Sequence, residues 1–347
     1  MYELNQKIKE LVPYEPISGT YNIRLDANEC PDNLPDNILE QFHQKLDEIA
    51  FNRYPDPLAL RLVQSFARYY GVKPELVTAG NGSDELIFLI ESAFLEKGDK
   101  MLVVSPDFSM YQFYSSICEV ECETFFKNES LDIDVDALIE TINANDIKLV
   151  LFSNPCNPTG KGITREQAQR LVSSVSALVI LDEAYMDFWT ESLLDKIEDY
   201  SNLIILRTAS KLVGSAALRL GFAVANPVIS RAIKAVKSPY NVNSISQAFG
   251  EVIYQNREYL QNRQKTIVRN KETLYNGLVD IAKSQTDMTV YSSVANFVFV
   301  KTPRAKEIWE YLKTKSIVVR LMGGCLRITA GTADEVGETL AALKEFF

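Results

Sequence analysis

Lys211 stands in TASKLVGSAALRLG directly after the apolar run LIILR, and Asp182 closes an earlier run in LVILDEAY. Taken alone, Lys211 reads as a solvated loop lysine, as most lysines are. Asp182 changes that reading, because an acid at the end of a buried strand is costly unless something pairs with it. A lysine that forms an imine and a buried aspartate that keeps a ring nitrogen protonated are the two parts pyridoxal phosphate requires. Tyr185, three residues past Asp182, and Asn157 in SNPCNPTGKG are candidates to donate to the phenolic oxygen of such a ring. NPCNPTG is also a turn-rich stretch whose Asn, Pro and Gly can serve geometry alone.

A phosphate needs donors. In GNGSDELIFLI, Gly80, Gly82 and Ser83 precede an apolar helical pattern, an arrangement that presents backbone amides to an anion. The same residues also serve as ordinary helix caps. Asp84 suits the positive end of a helix but repels phosphate, so its backbone rather than its carboxylate is expected to face the ligand. Ser210 and Arg219 flank Lys211 and are the better charge partners, with Thr208 and Gly82 in the same set.

Histidine chemistry is nearly closed to this chain. Its one histidine, His43, lies in the polar helical stretch EQFHQKLDEIA. One histidine leaves little for a Ser-His-Asp triad or a histidine-ligated metal, and no metal is expected. Five cysteines without a CxxC pair suggest neither a disulfide framework nor zinc, and fit a reducing cytoplasm. A formal net charge of −10 disfavours nucleic acid and anionic membranes as partners. Small molecules are the expected ligands, and anionic ones require arginine gathered locally. No apolar run approaches the ~20 residues of a membrane helix, and the amino terminus lacks the apolar core of a signal peptide.

The elements that must position these residues read as α/β. Between about residues 75 and 225, the runs 101–104, 149–152, 178–181, 203–206 and 221–225 alternate with helical segments, which predicts a mostly parallel sheet covered on both faces. The polar clusters Ser105-Pro106-Asp107, Ser153-Asn154-Pro155, Asp182-Glu183 and Thr208-Ala209-Ser210-Lys211 follow four of the runs. They should converge beyond the carboxyl ends of the strands. The division expected is an arm over 1–30 that stays outside the core and packs with the small domain or a partner subunit, a large domain over 31–245, and a small α+β domain over 246–347. The last begins with one long helical stretch over 247–282. It continues with strands at 297–301, 316–320 and 325–329 and a helix at 305–315. Arg327 in CLRIT and Arg320 at the end of SIVVR belong to it; strand alternation puts Arg327 on one face, toward the cleft.

The segments LVPYEP, RLDANECP, NRYPDP, AGNGSDELI, PDFSMY, SNPCNPTG, LDEAY, RTASK with ALRLG, and CLRITAGT occur in this order over nearly the whole chain. In them the sequence resembles the fold-type I aminotransferases, and within these the histidinol-phosphate aminotransferases. The resemblance implies that Lys211 carries pyridoxal 5'-phosphate as a Schiff base, Asp182 pairs with the ring nitrogen, and Tyr185 and Asn157 contact the phenolic oxygen. It further implies that Ser83, Asp84, Ser210 and Arg219 bind the phosphate with Tyr54 from a second subunit, in a homodimer with shared sites. Phe108 would stack on the ring where the family often has tyrosine. Arg327 would bind the substrate anion, and Arg320 and Tyr14 the phosphate of histidinol phosphate, with Asn28 also at the substrate. Two departures touch the substrate side: Ala217 replaces a glycine often found before the Leu-Arg pair, and the link from Arg320 to Arg327 is short.

Four other readings stand beside this one. A decarboxylase of a phosphorylated amino acid such as threonine phosphate shares every cofactor residue, and an aminotransferase for aromatic or other amino acids is a further alternative. A dinucleotide oxidoreductase is disfavoured because GNGSDE lacks the full GxGxxG pattern. A non-catalytic binding protein is disfavoured by the presence of Lys211, Asp182 and Arg327 together.

Overall fold

Runs of Val, Ile and Leu bounded by turn residues form the strands, because branched side chains pack well on a pleated surface. The computed structural model describes residues 2–347 except 10, 14 and 16. The first strand is β1 (Ile23–Leu25). There follow β2 (Val77–Gly80), β3 (Lys100–Ser105), β4 (Glu121–Phe126), β5 (Leu149–Ser153), β6 (Leu178–Asp182), β7 (Leu203–Thr208) and β8 (Gly221–Ala225). The last four are β9 (Thr289–Tyr291), β10 (Phe297–Lys301), β11 (Ile317–Met322) and β12 (Cys325–Thr329).

Strands β2 to β8 form one sheet in the order β2-β8-β7-β6-β5-β3-β4. Neighbours are parallel except around β8, which runs antiparallel to both β2 and β7. The expected mixed α/β architecture is thus present. The five runs read from the sequence are β3, β5, β6, β7 and β8, whereas β2 and β4 were not anticipated. Both are edge strands. The edge strand β4 has the sequence ECETFF, with charged residues where a central strand would be apolar.

Alternation along the central strands sends successive residues to opposite faces. Val150, Phe152, Val179 and Leu181 enter the core formed with the helices Leu60–Tyr70, Val135–Ala144, Arg165–Ser174 and Ser244–Gln255. Leu149, Leu151, Ile180 and Leu206 enter the core on the other face, with the helices Ser83–Phe94, Met110–Cys118 and Pro227–Val236. Asp182 follows Ile180 by two, so its side chain is on the second face, where Tyr111 of Met110–Cys118 is also buried.

The second sheet has the order β1-β11-β12-β10-β9. Here two expectations are corrected. The amino-terminal stretch does not stay outside the core over Ile23–Leu25: β1 pairs with β11, and Ile23 and Leu25 are buried in the core of the small sheet. Only three residues alternate there, too few to mark a strand. The helical stretch expected over 247–282 is two helices, Ser244–Gln255 and Arg257–Ala282, broken at Asn256. The first buries Phe249, Val252 and Ile253 in the large core. The second spans both units, with Leu260 in the large core and Leu274 and Leu278 in the small one.

Glu91, on the helix Ser83–Phe94, is fully buried, with no hydrogen-bond partner at either carboxylate oxygen among the described residues. Burial pushes its pKa from 4.5 up to about 8. A folded state that holds this proton longer than the unfolded chain binds more protons between those values, so stability falls as pH rises through that window. The cofactor-free protein should therefore lose unfolding free energy between about pH 5 and pH 8 in urea titrations. Glu91→Gln should remove on the order of 2–4 kcal/mol of that dependence. An unchanged slope in the variant would show that Glu91 titrates normally.

Candidate active site

Asp182 ends β6 with 4% of its surface exposed. Burial pushes its pKa up to about 7, opposed by two donors: the Tyr111 hydroxyl, 2.8 Å from Oδ2, and the Ala184 amide, 3.1 Å from Oδ1. The nearby acids Asp107 and Asp84 push in the same direction as burial. A carboxylate so placed gains most from a neighbouring cationic N–H.

The next segment is clamped by a buried ion triad. Arg207 on β7 lies 2.7 Å from Glu183 and 2.9 Å from Asp187, while the Tyr70 hydroxyl donates to Asp187 at 2.9 Å. Glu183 and Asp187 bracket Tyr185, so this triad fixes its backbone. The Tyr185 hydroxyl accepts from Asn28 Nδ2 at 2.9 Å, which leaves its own proton to donate elsewhere. Asn28 is held in turn: its amide donates to the Thr329 hydroxyl at 3.1 Å, and its carbonyl accepts from Asn296 at 3.2 Å. The Lys211 amine lies 5.6 Å from the centre of the Tyr185 ring and donates to the Ala27 carbonyl at 3.2 Å. Lys211, Tyr185 and Asn28 are therefore brought together by the large sheet and the stretch after β1.

The anion-binding candidates also converge. Gly82 has φ 87°, and Ser83 begins its helix. A Cβ on Gly82 would lie 2.9 Å from the Arg219 guanidinium, and one on Gly221 would lie 2.3–2.6 Å from backbone atoms of Gly82 and Ser83. Thr208 and Ser210 join hydroxyls at 3.0 Å. Arg219, in the left-handed region at φ 50°, meets the Asp84 carboxylate at 3.1 Å. The Asp84 carboxylate thus faces Arg219.

On the substrate side, Arg320 and Arg327 are directly opposed in the antiparallel β11–β12 pair, which puts both side chains on one face. The short link between them is a tight hairpin turn at Gly323 and Gly324, with Gly323 at φ 61°. Arg327 is buried and donates to the Asn157 side-chain oxygen and, at 2.6 Å, to the Asp26 carbonyl. This turns the Asn157 amide nitrogen toward other acceptors. Phe108 meets Tyr111 edge-on, centroids 5.5 Å apart. Tyr54 is 79% exposed and stacks on Tyr240 at 4.4 Å. Tyr14 lies outside the described residues.

Residues 21–343 match the family model for aminotransferase class I and II. The chain belongs to that family. The histidinol-phosphate aminotransferase of Clostridium kluyveri is 38% identical over 95% of this chain and 94% of its own length. Among solved structures, the histidinol-phosphate aminotransferase of Sinorhizobium meliloti in complex with pyridoxal-5'-phosphate aligns with TM-score 0.89 and 22% identity, over 99% of this chain and 97% of that one. The L-threonine-O-3-phosphate decarboxylase of Porphyromonas gingivalis aligns at 0.79 and 22% identity, over 93% and 99%. At such identities these two structures share the family's fold.

Sequence reasoning did not single out Tyr111, the donor to Asp182, although it falls in the quoted PDFSMY. Nothing in its spacing marks it as the partner of Asp182, 71 residues away. Thr329 and Asn296 left no signal either. Because backbone atoms cannot yield as a flexible side chain can, Gly221→Ala should displace the Gly82–Ser83 turn. It should cost ~1–3 kcal/mol of stability and weaken pyridoxal-phosphate binding by about tenfold or more. Equilibrium dialysis and urea unfolding of the variant would show unchanged values if the close approach is unimportant.

Proposed function

We propose that this aminotransferase binds pyridoxal 5'-phosphate at Lys211 and exchanges the amino group of histidinol phosphate for the oxo group of 2-oxoglutarate, giving imidazole acetol phosphate and glutamate. The observation that carries the cofactor reading is the buried Asp182 carboxylate, which has two neutral donors but needs a cationic one, in a site that also holds the Lys211 amine. The donor set fits the group at its other end too, with the Gly82–Ser83 turn, Thr208, Ser210 and Arg219 for a phosphate. The bound cofactor would supply an electron sink for the bond broken at the substrate α-carbon.

The protein's own groups do the rest. Asp182 holds a proton on the ring nitrogen. Tyr185 and Asn157 donate to the ring oxygen, Phe108 covers the ring face, and Lys211 Nζ moves the α-proton of the substrate. Arg327 grips a carboxylate or phosphate by paired hydrogen bonds, and Arg320, with Tyr14, favours the phosphate of histidinol phosphate. Asn28 orders Tyr185 at the substrate side. Tyr54, exposed in one protomer, is assigned to the phosphate site of a partner in a homodimer. Exposed Leu58, Leu60, Phe88 and Phe113 support such an interface. A cytoplasmic setting is supported by five free thiols.

Decarboxylation of a phosphorylated amino acid is the second reading, favoured by the fold shared with the P. gingivalis decarboxylase. Two incubations separate these readings. With histidinol phosphate and 2-oxoglutarate the enzyme should form glutamate, and with threonine phosphate it should release no carbon dioxide. Arg327→Ala should slow both half-reactions by about 100-fold or more, whereas Arg320→Ala should slow the phosphate-bearing one about tenfold more than the glutamate one. Equal turnover of an unphosphorylated aromatic amino acid by the wild type would contradict the assigned substrate.

A further inference from the structure

The large sheet carries a further, half-buried acid to which the proposed chemistry assigns no role. Asp107 follows β3 by two residues. Its carboxylate accepts from its neighbour's amide, Phe108, at 2.8 Å, and from both the amide, at 3.1 Å, and the hydroxyl of Ser153 at the end of β5. The Ser153 hydroxyl in turn accepts from the Asn157 amide at 3.0 Å. Beyond that, the Asn157 side chain accepts from Arg327. One carboxylate thus joins the backbone of the residue over the ring face, that of the residue at the ring oxygen, and the arginine at the substrate.

The charge on Asp107 is answered from a third strand end. Lys127, directly after β4, donates to the Pro106 carbonyl at 2.8 Å and reaches Cys156 Sγ at the same distance. Burial pushes the Asp107 carboxyl up, while Lys127 and the Ser153 and Phe108 donors push it down. Strands β4, β3 and β5 are adjacent in the sheet, so the network ties three neighbouring strand ends at the crevice. A half-buried acid with this many donors is costly to assemble for packing alone, because an apolar residue would fill the space without the desolvation penalty.

We infer that Asp107, acting through Ser153, is a positioning residue that locks Phe108 and Asn157 into one rigid unit, with Lys127 balancing its charge. The inference rests on the cofactor reading above. Asn157 can hold its donor on the ring oxygen only while its backbone is fixed, and the Ser153 hydroxyl is what fixes it. A donor to an oxyanion favours the oxyanion. When that donor slips, the proton shared with the adjacent nitrogen is retained to higher pH.

The test is a spectrophotometric pH titration of the cofactor's visible band in the loaded enzyme. Ser153→Ala should raise the midpoint by about one pH unit, Asp107→Asn by at least as much, and Ser153→Thr, which keeps the hydroxyl, should restore the wild-type value. Ser153→Ala decides the matter if Asp107→Asn does not fold. Cofactor-loaded Ser153→Ala with the wild-type midpoint overturns the inference while leaving the cofactor reading intact. Wild-type protein with no Lys211-dependent band overturns the cofactor reading, and this inference with it.

Discussion

The structure is organised around one uncompensated charge, the Asp182 carboxylate, buried at the carboxyl end of a central strand. Among the described residues no cationic side chain bonds to it; its partners are a tyrosine hydroxyl and a backbone amide. Desolvation pushes its pKa up to about 7, so near neutral pH the group is about half ionised and ionises further when a cation arrives. A ligand with a protonatable ring nitrogen gains there from both proton and charge. Contrast Glu183, the next residue, equally buried but paired with Arg207 at 2.7 Å. Arg207 spends its charge on holding the Tyr185 segment still, and Asp182 is left for the ligand.

Around that charge, two sheets divide the work. The large sheet supplies the rigid strand ends that bear Asp182, Asn157 and Lys211. The small sheet supplies Arg320 and Arg327 side by side on one face, which an acidic chain needs if it is to attract anionic substrates against its own field. The stretch after β1 stitches the two: Asp26 and Ala27 offer carbonyls to Arg327 and Lys211, and Asn28 bonds Tyr185. A shift of the small sheet is therefore felt directly at the lysine and the tyrosine.

Much of this was legible in the sequence because it follows from strand ends. Central strands must be apolar on both faces, so the polar clusters after them stand out, and Lys211 and Asp182 became candidates that way, with Asn157 from the turn-rich run after β5. The edge strands β2 and β4 and the three-residue β1 were not legible, since an edge tolerates polar residues and three residues carry no period. Tyr111 and Lys127 escaped for a different reason. Each acts through a neighbour brought close only by the fold, Asp182 for the first and Asp107 for the second, and no local spacing records such a partnership. Asp107 was visible as punctuation after a strand, but its bonds to Ser153 were not.

If Asp182 is the charge on which the site depends, its loss must be felt in the reaction far more than in binding, because the residues proposed for the phosphate would hold the cofactor independently. The decisive measurement compares cofactor dissociation constants with single-turnover rates in wild type and Asp182→Ala. The account predicts a rate loss of about 1,000-fold or more with less than about a tenfold change in affinity, the mark of an interaction made chiefly in the transition state. Equal losses in the two quantities would contradict it and leave Asp182 a structural residue.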